Sequence, residues 1–200
     1  MRGWRQNGQA APARLLRFYR LWAPVYDLTV RLDPAYLRSL EQMVVSIVRT
    51  GDTTLDVGSG TGLGSVVAAS VATRVVAIDP SREMTTRLRK KIRYRRLKNV
   101  EVRQGYFPQA LTPGESFDSV ISSFMLAHLE PGERAHAIAA MFHCLKRGGR
   151  LGLFAAQGEI ASSFQTRAEV EEQLSAAGFV NPEVTDLSDI YRITTATRPG

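Results

Sequence analysis

The sequence predicts an α/β fold: a doubly wound sheet of seven strands with one antiparallel edge strand, preceded by an amphipathic helix. Three observations carry the prediction. Short apolar runs alternate with amphipathic stretches of helical period from Thr53 to Gly178, a glycine-rich turn follows the first of these runs, and the last two runs have no helix between them. Alternating strand–helix units build a parallel sheet covered on both faces, whereas a short final connection can only join an antiparallel pair.

The elements follow in order. Residues 12–22 place Leu15, Leu16, Phe18, Tyr19, Leu21 and Trp22 among Arg14, Arg17 and Arg20, a basic amphipathic helix that Pro24 interrupts. Asp33-Pro34 reads as a cap and first helical position, opening a helix to about Arg49. Strands are expected at Thr53–Val57, Arg74–Ile78, Val100–Gln104, Phe117–Ser122 and Arg150–Ala155, then Phe179–Thr185 and Ile190–Thr197. Helices are expected over Gly62–Val71, Ser81–Arg96, Pro131–Leu145 and Thr166–Ala177, the last two closed by Gly148-Gly149 and Gly178. The division is an N-terminal segment 1–33 ahead of one domain over 34–200.

Two hundred residues with 44% hydrophobic content suit a single domain with a sizeable core. The single cysteine, Cys144, excludes an internal disulfide and fits a reducing cytosol. No apolar run reaches the ~18 residues a membrane span needs, so the expectation is a soluble or peripheral protein. The net charge of +7 is concentrated in two patches: eight arginines in residues 1–50, and ten basic side chains against Glu83 and Glu101 in residues 82–103. Such patches attract an anionic leaflet or nucleic acid, although a charge run is more often a solvated face. The three histidines and one cysteine show no metal-ligand spacing.

In a doubly wound sheet, ligands bind beyond the carboxyl ends of the strands. Asp56 followed by Gly58-Ser59-Gly60-Thr61-Gly62 has that position, but Leu63 fills the third glycine of a dinucleotide fingerprint and no Walker lysine is present. A carboxylate before the glycines repels a pyrophosphate and suits an ammonium group. Asp79 ends the second strand, where an acid can accept both hydroxyls of a ribose. Loop, carboxylate and acid describe an adenosine bearing a cationic amino-acid tail, S-adenosylmethionine.

The chain resembles the class I S-adenosylmethionine-dependent methyltransferases, whose sheet is Rossmann-like, over roughly residues 40–197. The carriers are LDVGSGTG at 55–62, VVAIDPSREM at 75–84, SFDSVISSFMLAHL at 116–129 and LKRGGRLGLF at 145–154. The resemblance implies that Asp56, Gly58, Ser59 and Gly60 line the methionine part and Asp79 the ribose, while Pro80 and Met84 flank the adenine. Gly105, Tyr106 and Phe107 occupy the place that completes the adenine pocket, where many members have an aspartate in place of Tyr106. Ser123 and Tyr26 complete the candidate cofactor set.

The stretch FYRLWAPVYDLTV, residues 18–30, resembles the opening of bacterial phosphatidylethanolamine N-methyltransferases and quinone-biosynthesis C-methyltransferases. That resemblance lays the segment over the cofactor as a lid, with Tyr19 and Tyr26 toward the site. His128, after the fourth strand, is the candidate to take a proton from an ammonium acceptor or hold a phosphate. The compact chain and the basic helix favour a phospholipid acceptor at the inner face of the membrane, handled by a cytoplasmic, peripheral, monomeric protein. The alternative is C- or O-methylation of a quinone or other small molecule. An RNA methyltransferase ranks third, because SSFM stands where nucleic-acid N-methylating enzymes carry their catalytic tetrapeptide.

Overall fold

A computed structural model describes residues 32–157 and 165–200. The segment with the expected N-terminal helix, including Tyr19 and Tyr26, lies outside the described residues. Within them the chain runs α1 (Pro34–Ile47), β1 (Thr53–Val57), α2 (Leu63–Ala68), β2 (Arg74–Asp79), α3 (Arg82–Arg95), β3 (Val100–Gln104), β4 (Phe117–Ser123), a 3-10 turn at Leu126–His128, α4 (Pro131–Cys144), β5 (Leu145–Ala156), α5 (Arg167–Ala177), β6 (Val180–Asp186) and β7 (Tyr191–Thr197).

All seven strands form one sheet in the order β3-β2-β1-β4-β5-β7-β6. β1 pairs in parallel with both β2 and β4, with Leu55 opposite Val76 on one side and Val120 on the other. The order reverses at β1, so the crevice for a ligand opens beyond the carboxyl ends of β1 and β4. β7 is the reversed strand, antiparallel to β5 and β6, and lies one place in from the edge with β6 outermost.

Period-two alternation splits the core between the two faces. Val76, Val120, Leu151 and Leu153 face Ile138 and Met141 of α4 and Val170 and Leu174 of α5. Their neighbours Val75, Ile121, Phe154 and Ile193 face Leu40, Met43, Val44 and Ile47 of α1 and Ala68 of α2. No helix among the described residues is long and apolar enough to cross a membrane.

Two expected boundaries are corrected. α2 is shorter than Gly62–Val71, because Gly62 stands outside it in the left-handed region (φ 80°) as its N-cap. α4 is not closed by Gly148-Gly149: it stops at Cys144, and Leu145 enters β5 at once. The guanidinium of Arg198 donates to the carbonyls of Phe142, His143 and Leu145. A residue near the far end of the chain thus satisfies carbonyls that the last turn leaves open, and no local signal announces it.

α1 is fixed at both ends. Asp33 accepts from the N–H of Tyr36 at 3.0 Å and from the hydroxyl of Tyr191. At the other end, Arg150 of β5 donates to the carbonyl of Ile47 (2.6 Å) and pairs with Asp52 (2.5 Å), both side chains being largely buried. Removing one partner strands the other charge, so Arg150→Met is expected to cost about 3 kcal/mol. The check is the urea midpoint at an unchanged m-value.

Candidate functional site

The crevice is built by the loop after β1. Gly58, Gly60 and Gly62 have φ of 71°, 53° and 80°, a region that side chains rarely tolerate. The N–H groups of Gly58 and Ser59 both donate to the carbonyl of Ile78, at 2.9 and 3.0 Å, and tie the loop to β2. Gly60 N–H donates to Asp79 at 2.9 Å, and the other oxygen of Asp79 accepts from Ser81 N–H at 2.8 Å. The cap of α3 is Ser81, whose hydroxyl accepts from Met84 N–H. Asp79 therefore clamps the glycine loop onto the start of α3.

The glycines do different work. A side chain at Gly58 would run into Met125 at 2.5 Å and one at Gly62 into Leu88 at 2.1 Å, whereas no atom of the described residues lies within 4 Å of the same point at Gly60. The open side of the loop is at Gly60. Beside it the hydroxyl of Ser59 is buried without a hydrogen-bond partner among the described residues, an omission that normally marks a ligand's place.

Asp56 is buried on the same cavity, 2% exposed, and accepts from the Ser65 hydroxyl at 2.5 Å. Desolvation pushes its carboxyl up to about 7, the Ser65 hydrogen bond opposing the shift and the charge of Asp79 adding to it. Burial likewise raises Asp79, against the hydrogen bonds from Ser81 and Gly60. Two buried carboxylates at one loop make a site that favours a cation.

The cavity is completed from the other side by Tyr36 of α1 and Ser123 of β4, whose hydroxyls are hydrogen-bonded at 3.3 Å. Its neighbour Phe124 (φ 61°) turns the chain so that it faces a second cavity, lined by Phe124, Leu126, Leu153, Phe154, Val170 and Arg192. A bulky residue in that conformation is strained and held by its surroundings. The Phe124 ring packs on Tyr36, Phe154 and Tyr191 at centroid distances of 5.5, 5.1 and 6.3 Å, and Phe124 N–H donates to Phe154 O. An aromatic wall therefore separates the two cavities.

The methyltransferase-domain family matches residues 54–149, from β1 through the start of β5. A solved structure, the DhpI–S-adenosylhomocysteine complex, aligns over 92% of this chain and 95% of its own, with a TM-score of 0.75 and 27% identity. Residues 54–149 are thus similar to methyltransferase domains, and the fold to that of a protein solved with S-adenosylhomocysteine. An uncharacterized methyltransferase of Staphylococcus carnosus is 29% identical over 141 residues, 68% of this chain and 65% of the relative. A cypemycin N-terminal methyltransferase of a Streptomyces species is 39% identical over 102 residues, 50% of this chain and 40% of the relative. The chain thus spans less than two thirds of the length of either curated relative.

Against this domain, the expected site residues divide. Asp56, Gly58, Ser59, Gly60 and Ser123 meet at the first cavity. Asp79 stands behind the loop rather than on that cavity's lining. Met84 is 3% exposed and belongs to the face α3 buries. Tyr106 is 40% exposed at the end of β3, leaving a ring face available to stack. Gly105 N–H donates to Asp79 O, and Phe107 packs against the core. His128 follows Ala127, which lines the second cavity, but is not itself on either lining; desolvation holds its imidazole below the ordinary histidine range. Tyr36 and Phe124 escaped the sequence reading. Tyr36 falls on the apolar stripe of α1 like any core residue, and nothing local marks Phe124 for positive φ.

Proposed function

We propose that this protein transfers a methyl group from S-adenosylmethionine to an amine, and that the amine is the headgroup of phosphatidylethanolamine at a membrane surface. The observation that carries the cofactor reading is the loop's open side: among the described residues nothing lies within 4 Å of a side chain at Gly60 and the buried Ser59 hydroxyl has no hydrogen-bond partner, with the Asp56 carboxylate on the same cavity. Asp56 and Ser59 would hold the methionine ammonium and carboxylate ends. Asp79 has lone pairs left for the ribose, and Tyr106 a face for the adenine.

The bound cofactor supplies an electrophilic methyl on a sulfonium, and positioning accounts for most of the acceleration of such a displacement. The chain's own part is to hold the acceptor in line and dry. Tyr36 and Phe124 stand where the two cavities adjoin, and aromatic faces favour a cation there. An ammonium acceptor must first lose its proton, and His128, neutral through burial, would take it.

An amine acceptor is supported by the relative named for an N-terminal methyltransferase. A phospholipid acceptor is supported by the FYRLWAPVYDLTV resemblance, in which Tyr19 and Tyr26 act from the lid, and by the positive charge. The small apolar second cavity favours instead a compact acceptor such as a quinone ring. Incubation with methyl-labelled cofactor and phosphatidylethanolamine vesicles is expected to label the lipid. Label appearing only in a demethylquinol would exchange the first acceptor for the second.

A further inference from the structure

We infer that the solvent face of α3 is an electrostatic docking surface for an anionic lipid bilayer. Arg82, Arg89 and Arg93 are spaced seven and four residues apart, so they form one row with Lys90 beside it, about 16 Å long at 1.5 Å per residue. All four are exposed, while α3 buries Met84, Thr85 and Leu88 on the opposite side.

Among the described residues, the carboxylates of α3, of β3 and of Glu115 are engaged elsewhere. Glu101 pairs with Arg74 and Arg103, at 2.5 and 2.7 Å, and Glu115 with Arg103 and Arg74, at 2.6 and 3.1 Å. Glu83, the one acid within α3, accepts from Ser81 at 3.3 Å. Among the described residues, Arg89 donates to a backbone carbonyl, that of Val102.

The placement also runs against the helix's own electrostatics. A cation in the first turn, as at Arg82, opposes the macrodipole, and Arg89 and Arg93 are like charges at i,i+4. A row kept against local repulsion is relieved by a negative counter-surface.

The shape selects a plane over a strand. Neither cavity described above is lined by any residue of α3, so the row leads no polymer into either of them. Tyr94, 89% exposed at the end of the helix, offers an amphipathic ring to a headgroup layer. Bilayer contact along α3 would lay the β3 edge of the sheet toward the lipid, with the Arg82 end nearest the cofactor loop. This deepens the membrane reading above, but it stands or falls without methyl transfer.

The test is sedimentation of the full chain with vesicles rich in phosphatidylserine, against pure phosphatidylcholine. The triple variant Arg89→Gln, Lys90→Gln, Arg93→Gln is expected to lower partitioning roughly 100-fold, and salt at about 0.5 M to abolish the difference. A control set, Arg38→Gln, Arg49→Gln, Arg147→Gln, removes the same charge from other exposed positions and is expected to change it less than about threefold. Equal loss in both sets, no loss in the first, or binding to RNA with no binding to vesicles would each overturn the proposal. Melting curves of the two sets are expected to coincide. Failure of the lipid-acceptor reading would show differently, as vesicle binding without label in phosphatidylethanolamine.

Discussion

Asp56→Asn is expected to stabilise the cofactor-free protein and to cripple cofactor binding at the same time. The carboxylate is 2% exposed and accepts from the hydroxyl and the backbone N–H of Ser65. Its folded-state value is raised from 3.8 to about 7, so ionisation opposes folding. The sign follows directly. Below pH ~4 the group is protonated in both states and contributes nothing; between about 4 and 7 the penalty grows; above 7 it is fully present, on the order of 4 kcal/mol. Asparagine removes the charge and can still accept from Ser65, but its amide hydrogens need partners. The expected net gain is therefore about 2 kcal/mol at pH 8, or roughly 5 °C in Tm. At pH 4, where the charge penalty is absent and the amide cost remains, the variant is expected to melt roughly 5 °C below the unaltered protein.

The same substitution removes the proposed partner of the cofactor's ammonium group, and a loss on the order of 100-fold in affinity is expected by calorimetry. In the unaltered protein, binding a cation must draw the proton off Asp56, so affinity should rise toward pH 7 and level above it. A destabilised variant that binds the cofactor as tightly as before would show that Asp56 is merely structural. Gain of stability with loss of binding is the pattern expected of a site that keeps an uncompensated charge for its ligand.

How much of this was legible beforehand varies with the range of the cause. The strand β1, the glycine loop and Asp79 are local patterns, and each falls where apolar period and turn chemistry put it. Asp33-Pro34 and Thr166 with Glu169 likewise declare their helix starts through caps within three residues. What stayed hidden depends on partners distant in the chain. The stop of α4 rests on Arg198, and the anchoring of α1 on Arg150 and Tyr191. The wall between the cavities assembles Tyr36, Phe154 and Tyr191 from three elements of the fold and Phe124 from the loop after β4. Even the glycines, alike in sequence, separate only when their neighbours in space are known.

That separation yields the second large effect, a contrast between two alanine substitutions two residues apart. Both Gly60 and Gly62 are left-handed, so either alanine carries about 1–2 kcal/mol of backbone strain. At Gly62 the added methyl would also lie 2.1 Å from Leu88 Cδ1 and 2.9 Å from its Cγ. Leu88 is fully buried at 0% exposure, so it cannot swing into solvent, and overpacking adds about 1–3 kcal/mol. Gly62→Ala is therefore expected to lose about 2–5 kcal/mol in urea unfolding, with cofactor affinity following only through the folded fraction. At Gly60 no atom of the described residues lies within 4 Å of the new methyl, and the stability loss should stop at the strain. The methyl would, however, occupy the space assigned to the cofactor, where close backbone approach is the reason for a glycine, and affinity should fall by more than about tenfold. Undiminished binding by a well-folded Gly60→Ala protein would move the cofactor off the loop's open side. The two substitutions thus distinguish a glycine required by the fold from one required by the ligand.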